Sequence, residues 1–393
     1  MSFFELGRRV NSLAAGLSRR GIDPGDRVLV VSPLGVNLVL AACAAQRLGA
    51  TLVTCRSWGD PASIGRVDVP IKCVIASPVV YQAFGSTRAI RGAPVQIIVD
   101  GVRSEFDGEL SELSSGRRTI EVARVHDADE SWLCFAPRSK TSYGALADLT
   151  HTVGSGSVGD SALATTLLSV LLNLAAGVTS VLPPVNLDEP DELDGQLLIE
   201  QMRVNECSSA YLPASLVQRI ASTAVGGVQL LPALSRITTY GAPLKRQVIT
   251  ATELMFPRAE LYSFFGVQES WPIARLQGQD LPNTQRPGVC IGALLPNLEA
   301  RLIHPSNPGG RCIVQDWADW ESDPGKAGEL VIYDPIRSRA YAARESVLIG
   351  PDRRPWYRTG QLVAESPDGY LWWQRELQRP ARRAPERREE LTR

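Results

Sequence analysis

The sequence predicts an α/β protein with doubly wound, largely parallel sheets and a smaller β-rich subdomain. Up to about residue 275, short apolar runs alternate with amphipathic helical spans, which is typical of parallel sheets covered by helices. Beyond that point the apolar runs resemble strands and are separated by Gly, Pro and Asn, which favours hairpins over helical crossovers.

In the first part of the chain, a helix is predicted from the apolar face that begins at Phe3 and ends at Leu17, with Gly21 as its cap. A second helix is expected over 38–48. Five buried strands are predicted from the runs DRVLVV, ATLVTC, IKCVIAS, VQIIVD and SWLCFA.

The alternation resumes at residue 161. The predicted helices cover 161–176, the run GQLLIEQMRVN, 214–223 and 244–256, and the predicted strands between them are VTSVLPP, CSSAYLP, SRITTYG and AELYSFFG. The β-rich part contains GVCIGALLPNLEARLIH, RCIVQDW, GELVIYD and YLWWQRE. Within WYRTGQL, at 356–362, a turn is expected, followed by a short hairpin.

A chain of 393 residues is too long for one ordinary core. We therefore predict α/β subdomains at 1–135 and 136–274, a β-rich subdomain at 275–374 and a charged tail at 375–393. The tail is expected to be disordered or a solvated helix, with a partner-binding arm as the alternative.

Charge and cysteine usage exclude several classes of function. A net charge of -1 gives no field that favours nucleic acid, and nothing suggests a membrane surface. The seven cysteines are scattered without a C-x-x-C pair, so reduced thiols are predicted, not a zinc site or a disulfide framework. The first ten residues carry charges and no long apolar core, so a cytoplasmic protein without a signal peptide is expected.

Several short stretches, in order, resemble the large N-terminal domain of the adenylate-forming enzymes, which include acyl-CoA synthetases, nonribosomal peptide adenylation domains and luciferases. They are RRVNSLAAGLSRRGIDPGDRVLVV, YGAPLKRQV at 240–248, SFFGVQES at 263–270, GALLPNLEARLI, AGELVIYDP and WYRTGQL. The resemblance implies the fold of that domain and the activation of a carboxylic acid. It also implies ATP or AMP, Mg, an acyl adenylate, and CoA or a phosphopantetheine thioester.

The resemblance places an adenine pocket at Gly241, Ala242, Pro243 and Phe265, whose ring offers a flat apolar face. Gly266 follows that ring in the substrate pocket.

Two further positions carry metal and phosphate chemistry by the same resemblance. Glu269 matches a magnesium-binding glutamate that is also catalytic, and carboxylates suit this hard cation. Gln268 replaces a threonine that would meet a phosphate oxygen. Tyr240 replaces a glycine and is expected to shrink or cap the acyl pocket; alternatively, Tyr240 and Phe265 fill an emptied site.

The phosphate loop departs from the family pattern. A tri-anion needs closely presented backbone N–H groups, which demands glycines, and APRSKTSYGALADLTH retains only Gly144. A rebuilt phosphate site would use Arg138 and Lys140. His151 matches a histidine beside the acyl site and is expected to act as a base or to orient an acyl carbonyl.

The ribose site departs as well. Gln361 replaces an aspartate that accepts both ribose hydroxyls; an amide has one acceptor oxygen, so bidentate acceptance is lost. Arg375 occupies the usual arginine place before the family's mobile C-terminal lid, which is expected to be absent here.

Three functions stay open from the sequence. The first is a diverged ligase-like enzyme of a biosynthetic pathway that handles an acyl adenylate or thioester, with ATP-driven adenylation impaired or aided by a partner's lid. The second is a non-catalytic scaffold that pairs with a ligase or carrier protein. The third is an ATP-independent acyltransferase that uses His151 or Cys134.

Overall fold

The structure is a computed structural model, and the residues that it describes are 1–55, 64–101, 105–135, 139–154, 156–183, 194–223, 231–267, 270–284, 286–308, 310–338 and 346–377. The predictions for residues 378–393 of the tail, for Arg138 and for Gln268 and Glu269 lie outside these residues. Residues 375 and 376, predicted as the start of the tail, instead end the strand that begins at Tyr370, because they pair with residues 362 and 361.

The first sheet has the order β5-β4-β3-β1-β2-β6-β7 and is parallel except for β7, which runs antiparallel to β6. Its strands are β1 (Arg27–Val31), β2 (Thr51–Cys55), β3 (Cys73–Ala76), β4 (Val95–Ile98), β5 (Gly108–Glu109), β6 (Glu130–Phe135) and β7 (Ser139–Ser142). Its accompanying helices are α1 (Phe3–Ser18), α2 (Val36–Arg47), α3 (Pro78–Phe84), α4 (Arg88–Arg91) and α5 (Leu110–Ser115).

The second sheet begins with five parallel strands in the order β9-β8-β10-β11-β12. They are β8 (Ser161–Ala164), β9 (Thr179–Val181), β10 (Ser209–Pro213), β11 (Arg236–Tyr240) and β12 (Glu260–Val267). The helices of this part are α6 (Tyr143–Thr152), α7 (Leu167–Ala176), α8 (Gly195–Val204), α9 (Ala214–Thr223) and α10 (Arg246–Met255).

The same sheet continues with antiparallel strands in the order β12-β13-β14-β20-β19-β17-β15, so the expected α/β architecture with a β-rich part is confirmed. They are β13 (Ser270–Gln277), β14 (Val289–Leu294), β15 (Glu299–Ile303), β17 (Gly328–Tyr333), β19 (Pro355–Glu365) and β20 (Tyr370–Glu376), and the short strands β16 (Cys312–Ile313) and β18 (Val347–Ile349) attach at β19. The four-part division of the chain stays a prediction.

Two local predictions were wrong. Residues 161–164 form strand β8 and not the start of a helix, because this short buried run pairs with β10 and β9. The helix starts only after Thr166, whose side chain caps it in a reciprocal box with Ser169. The prediction that Gly21 caps the first helix is confirmed: at φ 77° its N–H donates to the carbonyl of Ser18, and the N–H of Ile22 donates to the carbonyl of Leu17.

The Tyr-Arg-Thr-Gly segment is also not a turn, because strand β19 runs through it. The register pairs Glu329 with Leu362 and Val331 with Arg358, so residues 359–361 lie opposite Leu330 alone and form a bulge. Gly360 adopts φ 71° within this bulge. The predicted hairpin beyond it is confirmed by the pairing of β19 with β20.

The helices in the described ranges lack the length and apolar character that a membrane crossing requires. One hydrophobic cluster matters for the site: Leu149 and Val153 of the α6 region pack with Tyr211 and Phe264 of the second sheet. Helix α6 therefore covers the face of the sheet on which Tyr240 also lies.

Candidate functional site

The carboxyl ends of β11 and β12 meet at one edge of the sheet, because Tyr240 pairs with Phe264 in parallel register. Gly241 follows directly, at φ 97°, and no heavy atom lies within 4 Å of the place where its Cβ would stand. Gly241 and Ala242 are exposed, and the buried Leu244 anchors the turn behind Pro243. The turn thus presents open backbone that a ligand can approach closely.

Phe265 lies beside this turn but presents little open surface. Its side chain is only 5% exposed and belongs to an apolar cluster of β13, β17 and β19 residues. Gly266 is tightly enclosed, since a Cβ there would stand 2.9 Å from the carbonyl oxygen of Ser270 and 2.9 Å from Cδ1 of Trp271. Gln268 and Glu269, which follow, lie outside the described residues.

Tyr240, at the end of β11, is held by a hydrogen bond and by an aromatic contact. Its hydroxyl lies 3.0 Å from Oγ1 of Thr165, and that hydroxyl donates its only proton to the carbonyl of Tyr211 at 2.7 Å. Tyr240 is therefore the donor to Thr165. Burial raises the pKa of Tyr240 to about 12, so the ring remains neutral and keeps this hydrogen bond. The edge of Trp271 packs against it, with ring centroids 6.2 Å apart.

His151 lies in the last turn of α6 and is exposed to solvent. Leu149 and Val153, on either side of it in sequence, are buried under the helix. Within the described residues no hydrogen bond or ion pair of the imidazole is found. The histidine therefore has a fixed backbone and an accessible ring.

Lys140 on β7 forms an ion pair with Glu130. Its Nζ lies 2.8 Å from Oε2 of Glu130, and the same carboxylate accepts from Nε of Arg27 at 3.3 Å. Glu130 thus joins two cations near the start of β6. A phosphate that recruits Lys140 must compete with this carboxylate.

Gln361 lies in the β19 bulge and is 9% exposed. Its Oε1 accepts a hydrogen bond of 2.7 Å from the indole N–H of Trp373, and its own backbone N–H donates to Oγ1 of Thr359 at 3.1 Å. The acceptor oxygen that would face a ribose therefore already has an internal partner. Arg375, further along β20, is exposed and lies opposite Leu362.

A buried ion pair fixes the bulge from the other side. Nε of Arg358 donates to Oε2 of Glu329 at 3.0 Å, and the backbone N–H of Gly360 donates to Oε1 of the same carboxylate at 3.2 Å. Both charged side chains are almost fully buried. The position of Gln361 is thus set by its neighbours along the strand, and not by a loop.

A buried polar network that was not predicted from the sequence lies next to the site. Arg337 donates through Nη1 to Asp334 at 3.0 Å and through Nη2 to Asp148 of α6 at 2.9 Å. Ser270, the first residue of β13, contacts Asp334 at 3.2 Å. The Asp-Pro sequence at 334–335 signals the local turn, but nothing in the sequence signals the long-range pair with Asp148.

Of the predicted residues, the structure therefore brings Gly241, Ala242, Pro243, Phe265 and Gly266 together at one edge, with Tyr240 and the His151 helix on the covering face. Gln361 lies on β19, and the cluster that contains Phe265 also contains Tyr357 and Val363 of that strand. Lys140 is held instead at Glu130.

Comparison with known proteins agrees with this architecture. A family model described as AMP-binding enzyme matches residues 1–114 and 157–342. The interval between the two matched ranges contains the altered loop, Lys140 and His151. The "Probable CoA ligase CCL5" of Humulus lupulus is 23% identical over 403 residues, which cover 95% of this chain and 69% of that protein. An olefin beta-lactone synthetase of Stenotrophomonas maltophilia is 23% identical over 411 residues, 95% of this chain and 72% of the relative.

Two solved structures show the fold. A long-chain-fatty-acid-CoA ligase from Archaeoglobus fulgidus superposes with a TM-score of 0.76 at 17% identity, over 96% of this chain and 78% of that chain. The inhibitor-bound N-terminal domain of FACL13 from Mycobacterium tuberculosis gives 0.74 at 17% identity, over 96% and 93%. The fold is that of the large domain of adenylate-forming enzymes, and the chain belongs to the AMP-binding enzyme family.

Proposed function

We propose that this protein binds a carboxylic acid derivative, as an acyl adenylate or a thioester, and that its own ATP-driven adenylation is impaired. The observation that carries the proposal is a contrast within one site. The open Gly241 turn is retained, whereas the groups at the ribose and phosphate positions are held by internal partners.

The retained part supports binding of the adenylate. The exposed backbone of Gly241 and Ala242 offers close approach to a flat base, and the half-buried Gly266 ends the buried Phe264–Phe265 run of the neighbouring strand. Because the chain belongs to the AMP-binding enzyme family, AMP is the first ligand to test at this turn. ATP, when bound, would supply the phosphoanhydride that activates a carboxylate.

The altered ribose position supports weakened binding of the nucleotide. A neutral amide in place of a carboxylate loses about 1–2 kcal/mol of charge-assisted hydrogen bonding, which corresponds to roughly five- to thirtyfold in affinity. Oε1 of Gln361 already accepts from Trp373, so only its second lone pair remains for a ribose hydroxyl.

The altered phosphate position is expected to weaken the binding of ATP more than the binding of AMP. Lys140 must leave Glu130 to reach a phosphate, and Glu130 would then repel that phosphate. The resemblance to the family implies that Glu269 would hold magnesium, and a carboxylate suits this cation.

His151 supports an acyl-handling step. An exposed imidazole at the end of a packed helix can accept a proton from an attacking thiol or orient an acyl carbonyl. Because relatives carry the name CoA ligase, CoA is the first acceptor to test, and phosphopantetheine on a carrier protein is the second.

ATP–pyrophosphate exchange over a panel of acids tests the impairment, because it reports adenylation alone. With an intact CoA ligase as positive control, we expect exchange about a hundredfold or more below the control, the product of two tenfold losses. Exchange at the rate of the control would contradict the proposal.

A second candidate is a non-catalytic scaffold that pairs with a ligase or carrier protein. It is favoured by the same internal bonds of Lys140 and Gln361, since a site filled by its own side chains needs no ligand. His151→Ala separates the two candidates: a scaffold keeps its partner binding unchanged, whereas an acyl-handling protein loses transfer of the acyl group.

A further inference from the structure

A buried network links three segments around the candidate site. Arg337 uses both terminal nitrogens, one on Asp334 and the other on Asp148, at 3.0 and 2.9 Å. The side chains of Arg337, Asp334 and Asp148 are 9%, 1% and 16% exposed. One guanidinium thus holds two carboxylates away from water.

The two carboxylates lie on different elements of the fold. Asp148 lies on α6, one turn before His151. Asp334 follows β17, and its Oδ1 accepts from the backbone N–H groups of Ile336 and Arg337 at 2.9 and 3.0 Å. These bonds lock the turn that carries the arginine.

The network also reaches the strand that follows the predicted metal position. Oγ of Ser270 lies 3.2 Å from Oδ2 of Asp334, and Ser270 is fully buried. Ser270 comes directly after residues 268–269 in the sequence. The chain Asp148–Arg337–Asp334–Ser270 therefore ties the His151 helix to the start of β13.

The geometry of the guanidinium fixes the positions of the two carboxylates relative to each other. Arginine is always charged and presents its donors in a rigid planar fork, so two carboxylates can be held at a fixed separation. A lysine carries the same charge on a single flexible point and cannot reproduce the fork. Helix α6 has no other ion pair to the β-rich part among the described residues.

We infer that Arg337 is a positioning residue of the acyl site: through Asp148 and Asp334 it fixes the His151 helix relative to the strand that begins at Ser270. This inference rests on the proposed function. It adds that acyl recognition depends on a remote ion pair that does not touch the ligand, and that nucleotide recognition at the Gly241 turn does not depend on it.

A purely fold-stabilising ion pair would behave differently. Weakening such a pair would lower the melting temperature, and it would either reduce the affinity for every ligand equally or change none of the affinities. A positioning residue instead changes the ratio between two affinities, that of an acyl adenylate analogue and that of AMP, which lacks the acyl group.

The test compares Arg337→Lys with Arg354→Lys as a matched control. Arg354 also contacts two carboxylates, Glu299 and Asp352, but it lies on the exposed side of the β-rich part. Acetyl-, octanoyl- and benzoyl-sulfamoyladenosine are first compared on the wild type, and the analogue that binds most tightly is chosen. Titration calorimetry then measures the affinity of each variant for this analogue and for AMP. Hydrogen exchange of residues 143–152 reports whether α6 loosens.

We expect Arg337→Lys to bind the analogue about tenfold more weakly while its AMP affinity stays within twofold of the wild type. Exchange in α6 should accelerate, and Arg354→Lys should change neither quantity. If Arg337→Lys does not fold, Asp148→Asn serves instead, because it leaves the pair of Arg337 with Asp334 intact.

Equal losses for both ligands, or no loss for either, would overturn the inference and leave a structural ion pair. A wild-type chain that binds AMP but no analogue would overturn the proposed function, and this inference with it. The two failures are thus distinguished by the wild-type titration alone.

Discussion

The indole N–H of Trp373 on β20 donates a hydrogen bond of 2.7 Å to the side-chain oxygen of Gln361 on β19. Because Gln361 lies in a bulge fixed by the buried pair Arg358–Glu329, this bond is built into the strand pair. The side chain at the proposed ribose position is therefore neutral and already has one internal partner.

Replacing Gln361 by aspartate should restore an anionic acceptor. The shorter side chain withdraws from Trp373, which costs about 1 kcal/mol of stability. The carboxylate can accept two ribose hydroxyls, so AMP affinity in calorimetry should rise about tenfold over that of Gln361→Asn. The asparagine variant is the matched control, since it has the same shape without the charge.

Equal AMP affinity of the two variants would mean that residue 361 does not face a ribose. The resemblance of WYRTGQL to the family segment would then describe the fold alone.

Truncation of Tyr240 should enlarge the acyl pocket. Tyr240→Ala removes the ring that packs against Trp271 and should let the protein bind an octanoyl-sulfamoyladenosine better than an acetyl one. The cavity should cost about 2–4 kcal/mol in urea unfolding. Tyr240→Phe keeps the ring, loses only the hydroxyl with its contacts to Thr165 and Thr166, and should leave the acyl preference unchanged. An unchanged preference in the alanine variant would place the acyl group elsewhere.

Stability should fall in alkaline solution because of Tyr240. Its folded-state pKa is raised to about 12 from an ordinary value near 10, so the folded protein binds more protons than the unfolded chain between these values. The stabilisation is complete below pH 10 and is lost as pH rises toward 12.

Urea unfolding at pH 8, 10 and 11 measures this effect. The wild type should lose more stability between pH 8 and 11 than Tyr240→Phe, which has no proton to lose at this site. Tyr143, whose pKa burial also raises to about 12, contributes equally to both proteins. Parallel losses in the two proteins would show that Tyr240 is accessible to water.

Lys140 should matter for ATP but not for AMP, because only ATP carries the β- and γ-phosphates. We expect Lys140→Met to weaken ATP about tenfold and to leave AMP unchanged. Glu130→Gln frees the lysine and should strengthen ATP severalfold. Lys326→Met is the control, since Lys326 is likewise ion-paired, with Asp323. If neither the Lys140 nor the Glu130 substitution changes the affinity for ATP, this ion pair has only a structural role.

Most of the fold follows from periodicity, and the exceptions have local causes. The helix at 214–223 begins and ends where the apolar pattern predicts. Ser161–Ala164 was misassigned because a four-residue buried run carries no period that separates strand from helix. The β19 bulge was taken for a turn because Gly360 signals a positive φ without saying whether the strand continues.

The candidate site was less predictable because its key contacts join distant residues. The segment around Gly241 could be recognised from a contiguous motif. The bonds of Gln361 with Trp373, of Lys140 with Glu130 and of Arg337 with Asp148 depend on tertiary pairing, which no single stretch of sequence encodes.

The central claim is that the adenylate pocket persists while ATP activation is weakened. Isothermal titration of the wild type with Mg-ATP and, in parallel, with acyl-sulfamoyladenosines tests it most directly. We predict micromolar binding of at least one acyl analogue and ATP binding at least about tenfold weaker. Binding of ATP as tight as that of the best analogue would contradict the claim of impaired activation, and failure of every ligand would contradict the pocket itself.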